Sequence, residues 1–592
     1  MFKFKFSYIA LATALSSSVV YADPASYTHK SGTTVIDIEA PNAAGVSHNL
    51  YREFNVGSNG TILNNSADDV KDSSHGNIAR NNNLTNGSAS VILNEVTSNK
   101  MSNLQGFIEV NGQKADVVIA NTNGITCSGC SFINTNKAVL TTGQVNLGDT
   151  GAIDSYTVTQ GQITISDKGM DASTNYAALL ADAIAINGSM TAANTILGAG
   201  NFTFDNNTGK LTSHEKKATA MQMLIPEYSI DISNLGGIKA NSISMIGNNL
   251  GFGVRNKGTI TSNTTLAMTS YGSLINEGSI AGNGYIAQMV SAGEMKNTGT
   301  INNKALATQL TSLSNLTNEG TISSSQQLIV NASGSLVNTN TINGTKALSV
   351  VSGGNITTRS GSSITSDGQL AVSAQNINNG GSIRGDVTNV AFSGDSLSVT
   401  GELRGNSSLT VKSEKDQNTS SGKIFNSGRI SGSDVTLVTN GNVVQEGNLI
   451  GTNSLSIKSN SLDNIYYVYG NALIIESNYV RNLATIDGYT TSITAKNGIH
   501  NQGQISSSGD MTLDTQYNAD IANYNIIKAN GTLTVTTRNV KNGGYSCGFL
   551  GLATCGIGSI SANKLVLNSS HNYASGMGGH QQYKYAEINT KR

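Results

Sequence analysis

The sequence predicts an all-β fold, a right-handed parallel β-helix (β-solenoid) built from stacked coils. A phrase of the form Asn-x-Gly-[Ser/Thr]-Ile returns at Asn256–Ile260, Asn276–Ile280, Asn297–Ile301 and Asn318–Ile322, with a weaker copy at Asn338–Ile342. The asparagines step by 20, 21, 21 and 20 residues. Units of this length must stack, because none of them can bury its apolar side alone. Each unit holds strand-like pieces and turn residues but no room for a helix, which favours one coil per repeat.

The composition agrees with this architecture. The chain has 592 residues with 65 glycines, only 3 prolines and no tryptophan. Proline is scarce because strands inside a solenoid pair on both edges, where proline removes a donor. The regularly spaced hydrophobic fraction of 38% argues against disorder. We expect the recurrent Asn and Gly at tight corners, where they tolerate left-handed backbone angles, and we expect stacked asparagines to form an amide ladder along the axis.

Charge and histidine placement exclude several function classes. The net charge is −1 and the pI is about 6.7, so no nucleic-acid partner is predicted. The seven histidines are scattered without the spacing of a zinc site, and we predict neither a metal nor a cofactor. No nucleophile elbow, metal-binding helix or phosphate loop appears, and we predict that the protein is not an enzyme; the alternative is catalysis by a pair of carboxylates in a cleft of the solenoid.

The N-terminus reads as a secretory signal over residues 1–22. Lys3 and Lys5 supply positive charge, Ile9–Val20 is mostly apolar, and Val20–Ala22 offers a small-residue cleavage site. The mature chain is then expected to start at Asp23 and to be exported through the periplasm.

Three zones follow the signal. Irregular repeats extend over residues 23–270, and regular coils of about 20 residues extend over residues 251–540, overlapping the first zone by one coil. Residues 541–592 lose the pattern and are interpreted as a C-terminal cap and a polar tail.

Four cysteines form two local pairs, Cys127 with Cys130 and Cys547 with Cys555. Either pair would close a small loop and add roughly 2–3 kcal/mol at most. A redox reading of Cys127-x-x-Cys130 needs a helix N-terminus to lower a thiol pKa, whereas this pair lies in a turn between strand-like runs. A structural staple is the favoured interpretation, with a catalytic dithiol as the alternative.

Several phrases together resemble one known family. Ser47–Val56, Asn81–Leu84 and Val117–Ile125 come in order, followed by the Cys127–Cys130 pair with Phe132–Thr135, then Ile230–Gly237 and Gly253–Ile260. This series is similar to the secretion domain of two-partner-secretion (TPS) exoproteins, the filamentous hemagglutinin and hemolysin family of Gram-negative bacteria. The resemblance implies an N-terminal TPS domain, a β-helix with extra-helical strands, followed by hemagglutinin-type repeats.

The resemblance also implies a partner and a recognition site. The partner is an outer-membrane β-barrel transporter of the TpsB type, through which the chain would pass unfolded and fold outside. The candidate recognition residues are the two motifs Asn81, Asn82, Asn83, Leu84 and Asn121, Thr122, Asn123, Gly124, Ile125. Asn82 and Thr122 stand where the family has proline, so these turns are expected to be less pre-organised. The alternative interpretation is that both motifs are only corner turns of the helix.

For activity after export, three hypotheses remain. An adhesin that binds a host cell-surface glycan or protein through the flank of the rod is preferred. A cytolysin of the same secretion family is favoured by analogy through the Cys127/Cys130 pair. A stalk for delivering a toxin is the third hypothesis, since the chain is much shorter than large family members and is expected to be either a short exoprotein or a remnant of a longer one.

One aromatic cluster stands out in the coils. Tyr466, Tyr467 and Tyr469 are expected on a strand with the tyrosines on an exposed face. The alternative to a purely structural role is a platform on which sugar rings stack.

Overall fold

The computed structural model describes residues 23–73, 76–214, 228–248, 253–414, 422–543, 545–547, 553–555, 558–570 and 580–590. Strands account for 67% of the described residues, and no helix occurs among them. Within them, therefore, no helix is long and apolar enough to cross a membrane. The predicted signal at residues 1–22 lies outside the described residues.

The first zone contains strands that include both coil strands and additions outside the coils. They are β1 (Ser26–Thr28), β2 (Thr34–Asp37), β3 (Val46–Tyr51), β4 (Thr61–Asn65), β5 (Val70–Ser73), β6 (Gly76–Ile78), β7 (Val91–Val96), β8 (Ser102–Leu104), β9 (Phe107–Gly112), β10 (Ala115–Ala120), β11 (Ile125–Cys127), β12 (Cys130–Ile133), β13 (Thr135–Thr141), β14 (Gln144–Leu147), β15 (Ile153–Val158), β16 (Gln162–Ile165), β17 (Met170–Ala181), β18 (Ala183–Ile186), β19 (Ser189–Ala199), β20 (Phe202–Asp205), β21 (Leu211–Ser213), β22 (Tyr228–Ile232), β23 (Gly237–Gly247), β24 (Gly253–Asn256) and β25 (Thr259–Ser270).

The regular coils follow with shorter strands that later merge around corners. They are β26 (Leu274–Asn276), β27 (Ser279–Gly282), β28 (Ile286–Ser291), β29 (Met295–Asn297), β30 (Thr300–Asn303), β31 (Ala307–Ser312), β32 (Leu316–Asn318), β33 (Thr321–Ser324), β34 (Gln327–Ala332), β35 (Leu336–Asn338), β36 (Thr341–Gly344), β37 (Ala347–Ser352), β38 (Ile356–Thr358), β39 (Ser363–Thr365), β40 (Gln369–Ala374), β41 (Ile377–Asn379), β42 (Ser382–Phe392), β43 (Ser396–Val399), β44 (Glu402–Ser413), β45 (Lys423–Asn426), β46 (Arg429–Val438), β47 (Asn442–Gln445), β48 (Asn448–Asn464), β49 (Tyr467–Asn482), β50 (Thr485–Ala495), β51 (Ile499–Asn501), β52 (Gln504–Ser507), β53 (Met511–Asp514), β54 (Asp520–Asn523), β55 (Ile526–Ala529), β56 (Thr532–Thr537), β57 (Asn539–Asn542), β58 (Tyr545–Cys547), β59 (Ala553–Cys555), β60 (Ser559–Ser569) and β61 (His580–Thr590).

Each regular coil has three faces, and every face pairs in parallel with the same face of the next coil. The first face is represented by β26, which pairs with β29; the second by β27, which pairs with β30; and the third by β28, which pairs with β31. Along each strand, apolar residues point inward alternately with outward polar ones, so Leu274, Ile280 and Met289 are buried in one continuous core. The predicted all-β solenoid of stacked coils is confirmed.

The repeat asparagine lies inside the rod, at the end of each first-face strand. Asn256, Asn276, Asn297 and Asn318 are at most 2% exposed. Each donates from Nδ2 to the Oδ1 of the asparagine in the next coil, at 2.7–2.9 Å. The expected amide ladder is therefore present, but it runs through the interior rather than along a solvent-facing corner.

Glycine is required in the repeat phrase for a different reason from the one expected. Gly278, Gly299 and Gly320 do not adopt left-handed backbone angles. A Cβ at any of them would lie 2.0–2.1 Å from the carbonyl oxygen of the corresponding glycine one coil earlier. The corner requires glycine because successive backbones approach closely, not because of φ.

A four-stranded antiparallel sheet packs on the outside of the first zone. β14, β15, β20 and β21 form this sheet. Tyr156, Phe202 and Phe204 from the sheet form a second apolar cluster with outward residues of the coils, including Val118 and Val139. These strands lie outside the stacked coils.

Strands continue into the region expected to be a cap and tail. β60 pairs in parallel with β55 and β56, and β61 pairs in parallel with β60. The reason is visible in β60, where Ile560, Leu565 and Leu567 alternate inward like the core residues of earlier coils. β58 and β59, which lie between β57 and β60 in the chain, form a separate antiparallel pair.

Candidate functional site

The first candidate motif, Asn81–Leu84, is a turn closed by its own side chains. The backbone N–H of Leu84 donates to the carbonyl of Asn81 at 3.3 Å, and the N–H of Asn83 donates to Asn81 Oδ1 at 2.9 Å. Asn81 is 2% exposed and donates from Nδ2 to the carbonyls of Ile38 and Asn64, at 2.8 and 3.0 Å. Its amide thus joins two neighbouring segments of the rod.

The second motif, Asn121–Ile125, repeats this arrangement between β10 and β11. Asn121 Oδ1 accepts from the N–H of Asn123 at 3.0 Å, and the N–H of Gly124 donates to the Asn121 carbonyl at 3.1 Å. Asn121 Nδ2 donates to the Lys100 carbonyl at 2.9 Å and to Ser102 Oγ at 3.0 Å. Gly124 has a φ of 121°, a backbone angle that favours glycine.

The third residue of each motif also points its amide into the rod. Asn83 Nδ2 donates to the Ile38 carbonyl at 3.2 Å, and Asn123 Nδ2 donates to the Ser98 carbonyl at 2.7 Å. Asn82 is the exposed residue of the first turn, and Thr122 is half-buried in the second. In the folded state, the second position is therefore where these turns present a side chain that does not hold the coils together.

The structure does not bring the two motifs to one place. Asn81 donates its N–H to the Ser66 carbonyl, at the end of β4, whereas Asn121 follows β10 and contacts the segment after β7. Each motif therefore occupies its own edge of the rod.

Cys127 and Cys130 are joined by a disulfide next to the second motif. The cysteines end β11 and begin β12, and both are at most 1% exposed. Gly129 between them has a φ of 89°. The bond spans one corner of a coil. The side chains of Cys547 and Cys555, predicted to form the other disulfide, lie outside the described residues, although their backbones belong to the hairpin of β58 and β59.

A charged pair lies beneath the extra-helical sheet and was not anticipated from the sequence. Burial raises the pKa of Asp116, with Lys137 opposing the shift, and burial lowers the pKa of Lys137. Lys137 Nζ donates to Asn206 Oδ1 at 3.0 Å and lies 5.6 Å from the ring centroid of Tyr176. Asp116 also raises the pKa of Tyr156, after burial as the larger cause. The pair ties the coil strands β10 and β13 to the turn after β20.

The tyrosine cluster lies where the first face turns into the second. Tyr466 is 55% exposed, and Tyr467 and Tyr469 are half-buried on the second face. The rings of Tyr467 and Tyr469 are parallel within 1°, with centroids 6.5 Å apart. We call Tyr466, Tyr467 and Tyr469 the tyrosine platform.

The sequence analysis did not anticipate two features of the tyrosine platform, the corner position of Tyr466 and the arginines nearby. The register pairs Tyr467 with Asn448, which places Tyr466 at the corner position that Gly447 holds one coil earlier. On the same face, Arg384 and Arg404 pair side by side. Residue 404 stacks on Ser431, then Ile450, then Tyr469, so about 14 Å separates the arginine and the platform at 4.8 Å per coil. Alignment of the coils on the repeat phrase reveals this proximity.

No group of three or more His, Cys, Asp or Glu side chains in the described ranges could hold a metal ion.

Comparison with known proteins identifies the first zone. Residues 13–282 match the family described as the TPS secretion domain. Toxin CdiA of Yersinia pestis is 39% identical over 262 residues, which are 44% of this chain and 8% of the relative. A tRNA nuclease CdiA of Yersinia mollaretii is 41% identical over 225 residues, which are 38% of this chain and 7% of the relative. The match thus spans less than a tenth of the length of these relatives.

A solved structure is also similar. The crystal structure of filamentous hemagglutinin secretion domain aligns with 28% identity and a TM-score of 0.39, covering 51% of this chain and 98% of that one.

Proposed function

Since the chain carries the TPS secretion domain of two-partner-secretion exoproteins, we propose that it is exported through a dedicated outer-membrane β-barrel transporter and becomes an extracellular rod that binds host cell surfaces. The observation that supports this most is continuity: the secretion domain passes without a break in strand pairing into the regular coils. Entry into the periplasm by the Sec route belongs to the same proposal.

The stacked architecture supports export without an energy source outside the cell. Each coil contacts mainly its neighbours, so a chain emerging from a pore can fold one coil at a time. Every added coil buries apolar side chains and pairs two more strand edges. The Cys127–Cys130 disulfide closes within three residues, so it leaves the rest of the chain free to thread.

A secretion assay tests the transporter. The full chain is expressed in a Gram-negative host with and without the cognate barrel, and the folded protein in the medium is quantified. We expect release only with the barrel. Equal release without it would overturn the export proposal.

Adhesion is proposed to use the tyrosine platform. The exposed ring of Tyr466 and the parallel, half-buried rings of Tyr467 and Tyr469 offer flat apolar surfaces that stack on sugar rings or pack against a protein partner. Arg404 on the same face adds a cation for acidic groups. The double substitution Tyr466→Ala and Tyr467→Ala should reduce binding to washed erythrocytes or epithelial cells at least tenfold. Tyr585→Ala is the control, since Tyr585 is 73% exposed in β61, several coils beyond the platform. Unchanged binding by the double variant would reject the platform.

A toxin-delivery stalk is the second candidate. Its support is that relatives sharing the secretion domain carry the names Toxin CdiA and tRNA nuclease CdiA. In this reading the rod itself is not an enzyme and binds no nucleic acid. A competition assay against neighbouring bacteria separates the candidates: growth inhibition favours the stalk, clumping of erythrocytes favours the adhesin, and haemoglobin release favours a cytolysin.

A further inference from the structure

The third face of the regular coils has an extended stretch without charge. Seven strand segments stack there in register, from residues 265–270 of β25 through β28, β31, β34, β37 and β40 to residues 387–392 of β42. Their outward residues are Thr265, Ala267, Thr269, Ile286, Gln288, Val290, Ala307, Gln309, Thr311, Gln327, Ile329, Asn331, Ala347, Ser349, Val351, Gln369, Ala371, Ser373, Val387, Asn389 and Ala391. The next coil ends the stretch with Lys412. We call this surface the uncharged face.

Large apolar side chains are exposed on the uncharged face and along both of its edges. On the edge shared with the second face, Tyr285 is 66% exposed and Leu306 is 61% exposed; on the opposite edge, Leu313 is 59% and Tyr271 is 41% exposed. Val351, within the face, is 41% exposed. Exposed apolar surface that is contiguous and lacks charge is typical of an interaction site.

The two edges are complementary to each other. Leu306 and Leu313 flank the same strand, β31, on opposite edges. A two-fold axis parallel to the rod would place Leu306 of one copy against Leu313 of the other at the same level. The symmetry repeats this contact on the other side of the axis. An axis perpendicular to the rod would instead place each edge against itself.

Charge at the level of β31 is compatible with the parallel arrangement. Lys304 is exposed two residues before Leu306, and Glu294 is exposed on the opposite edge one coil earlier. With the axis parallel to the rod, Lys304 of one copy lies within about one coil, about 4.8 Å, of the level of Glu294 in the other. The same edge also carries Lys346, Asp367 and Asp386, so charge by itself does not distinguish the two axes.

We propose that two copies of this chain pair through the uncharged face, side by side with their rods parallel. The face is about 34 Å long, at 4.8 Å for each of its seven strands, and about 20 Å wide, at 3.3 Å for each of six residues. The resulting area of about 700 Å² per copy is close to the roughly 800 Å² per partner of a standard specific interface. Flat sheets pack face to face about 10 Å apart, and Gln, Ser and Thr side chains can hydrogen-bond across that gap.

The test uses the full mature chain released by its transporter. Sedimentation velocity is measured from about 0.5 to 50 µM, which covers the micromolar end of the dissociation constants found for interfaces of this size. We expect a concentration-dependent dimer. The double variant Leu306→Glu with Leu313→Glu should raise the dissociation constant at least tenfold, because two carboxylates would be buried against an apolar surface.

Leu235→Glu is the matched control. Leu235 is 84% exposed, but it lies on the edge between the first and second faces. Dimerisation equal to that of the unchanged chain is expected for this variant. A monomer at every concentration, or an equal loss in the control, would overturn the proposal and leave the face for a different partner.

Cross-linking tests the orientation. Leu306→Cys protein mixed with Leu313→Cys protein should form a mixed disulfide dimer, while either variant alone should not cross-link. Cross-linking of each variant with itself and none in the mixture would overturn the parallel arrangement.

Discussion

Asn276 donates from Nδ2 to Oδ1 of Asn297, one coil further along the rod, at 2.7 Å. The same direction holds from Asn256 to Asn338 and again from Asn464 to Asn542. A ladder with one direction leaves an acceptor outside the ladder at its start and a donor outside it at its finish. Asn256 Oδ1 and Asn542 Nδ2 are buried without a hydrogen-bond partner among the described residues. The other two ends have partners: Asn338 Nδ2 donates to the carbonyls of Asn340 and Ser363, and Asn464 Oδ1 accepts from the N–H of Tyr466.

Breaking the ladder in its middle should destabilise the coils locally. Asn297→Ala leaves the Nδ2 of Asn276 and the Oδ1 of Asn318 without their partner, so we expect a loss of about 1–3 kcal/mol for the buried groups left unpaired. Hydrogen exchange is the appropriate measurement, because a solenoid opens by neighbouring coils rather than as one unit. Asn302→Ala, at an exposed outward position of the same coil, should leave exchange unchanged.

The corner glycines should be intolerant of any side chain. In Gly299→Ala the new Cβ would lie 2.1 Å from the Gly278 carbonyl oxygen, so adjacent coils must separate at that corner. We expect a loss of about 1–3 kcal/mol, as for other overpacked sites, measured by urea denaturation. Gly57→Ala is the control, because nothing lies within 4 Å of its Cβ and its φ is not left-handed. An effect in Gly57→Ala as large as that in Gly299→Ala would contradict the steric explanation.

These glycines mark the limit of what the sequence could predict. The period of the phrase was enough to predict stacked coils, since a 20-residue repeat without a helix has few ways to bury Ile280 and its equivalents. The reason for Gly278 could not be read from the chain, because the atom that excludes a side chain belongs to the previous coil. The Asp116–Lys137 pair is likewise an interaction between coils, and spacing along the chain does not reveal it. The closeness of Arg404 to Tyr469 emerges only when the coils are aligned on the repeat phrase.

Proline at the second position of the two motif turns should stabilise the secretion domain. The carbonyls of Asn81 and Asn121 accept the hydrogen bonds that close the turns, so Asn82 and Thr122 occupy the second turn position. Proline pre-sets φ at this position. We expect Asn82→Pro and Thr122→Pro each to add about 0.4–1 kcal/mol by restricting the unfolded chain. Thermal and urea denaturation of the secreted protein measure this. Destabilisation would mean that the backbone angles at these positions exclude proline.

Recognition by the transporter can be separated from folding at the same turns. Asn81→Ala removes amide bonds to Ile38 and Asn64 and should reduce both stability and secretion. Asn82→Ala removes an exposed side chain and should leave stability unchanged, so any loss of secretion would report recognition. If both variants lose secretion only in proportion to stability, the motifs are corner turns without a recognition role.

The pair beneath the extra-helical sheet should give a distinctive pH dependence. Burial holds the folded pKa of Asp116 above its ordinary value of 3.8, so the stability linked to this group is greatest below pH 3.8 and is lost as the pH rises through the folded pKa. The stability of the unchanged chain relative to Asp116→Asn should therefore improve as the pH falls through the window just above 3.8. Urea denaturation between pH 3 and pH 7 measures the difference. If the difference in unfolding free energy between the unchanged chain and Asp116→Asn did not depend on pH, the sheet would not desolvate the Asp116 carboxyl.

The asparagine ladder is interrupted at Val399, and this position gives the most discriminating prediction. Val399 occupies the ladder position between Asn379 and Asn426, and Asn426 Oδ1 is buried with no hydrogen-bond partner among the described residues. Replacing a fully buried valine with asparagine ordinarily destabilises a protein by leaving an amide unpaired. At this position the new Nδ2 would face Asn426 Oδ1, and its Oδ1 could accept from Asn379, whose Nδ2 now donates one hydrogen to the Glu402 carbonyl. We therefore expect Val399→Asn to be neutral or to stabilise the coils by up to about 1 kcal/mol. Val350→Asn, in the core of the third face and away from the ladder, should lower the free energy of unfolding by several times that amount. Comparable losses of unfolding free energy in the two variants would mean that the unpaired Asn426 Oδ1 and the Asn379 amide do not accommodate the new side chain.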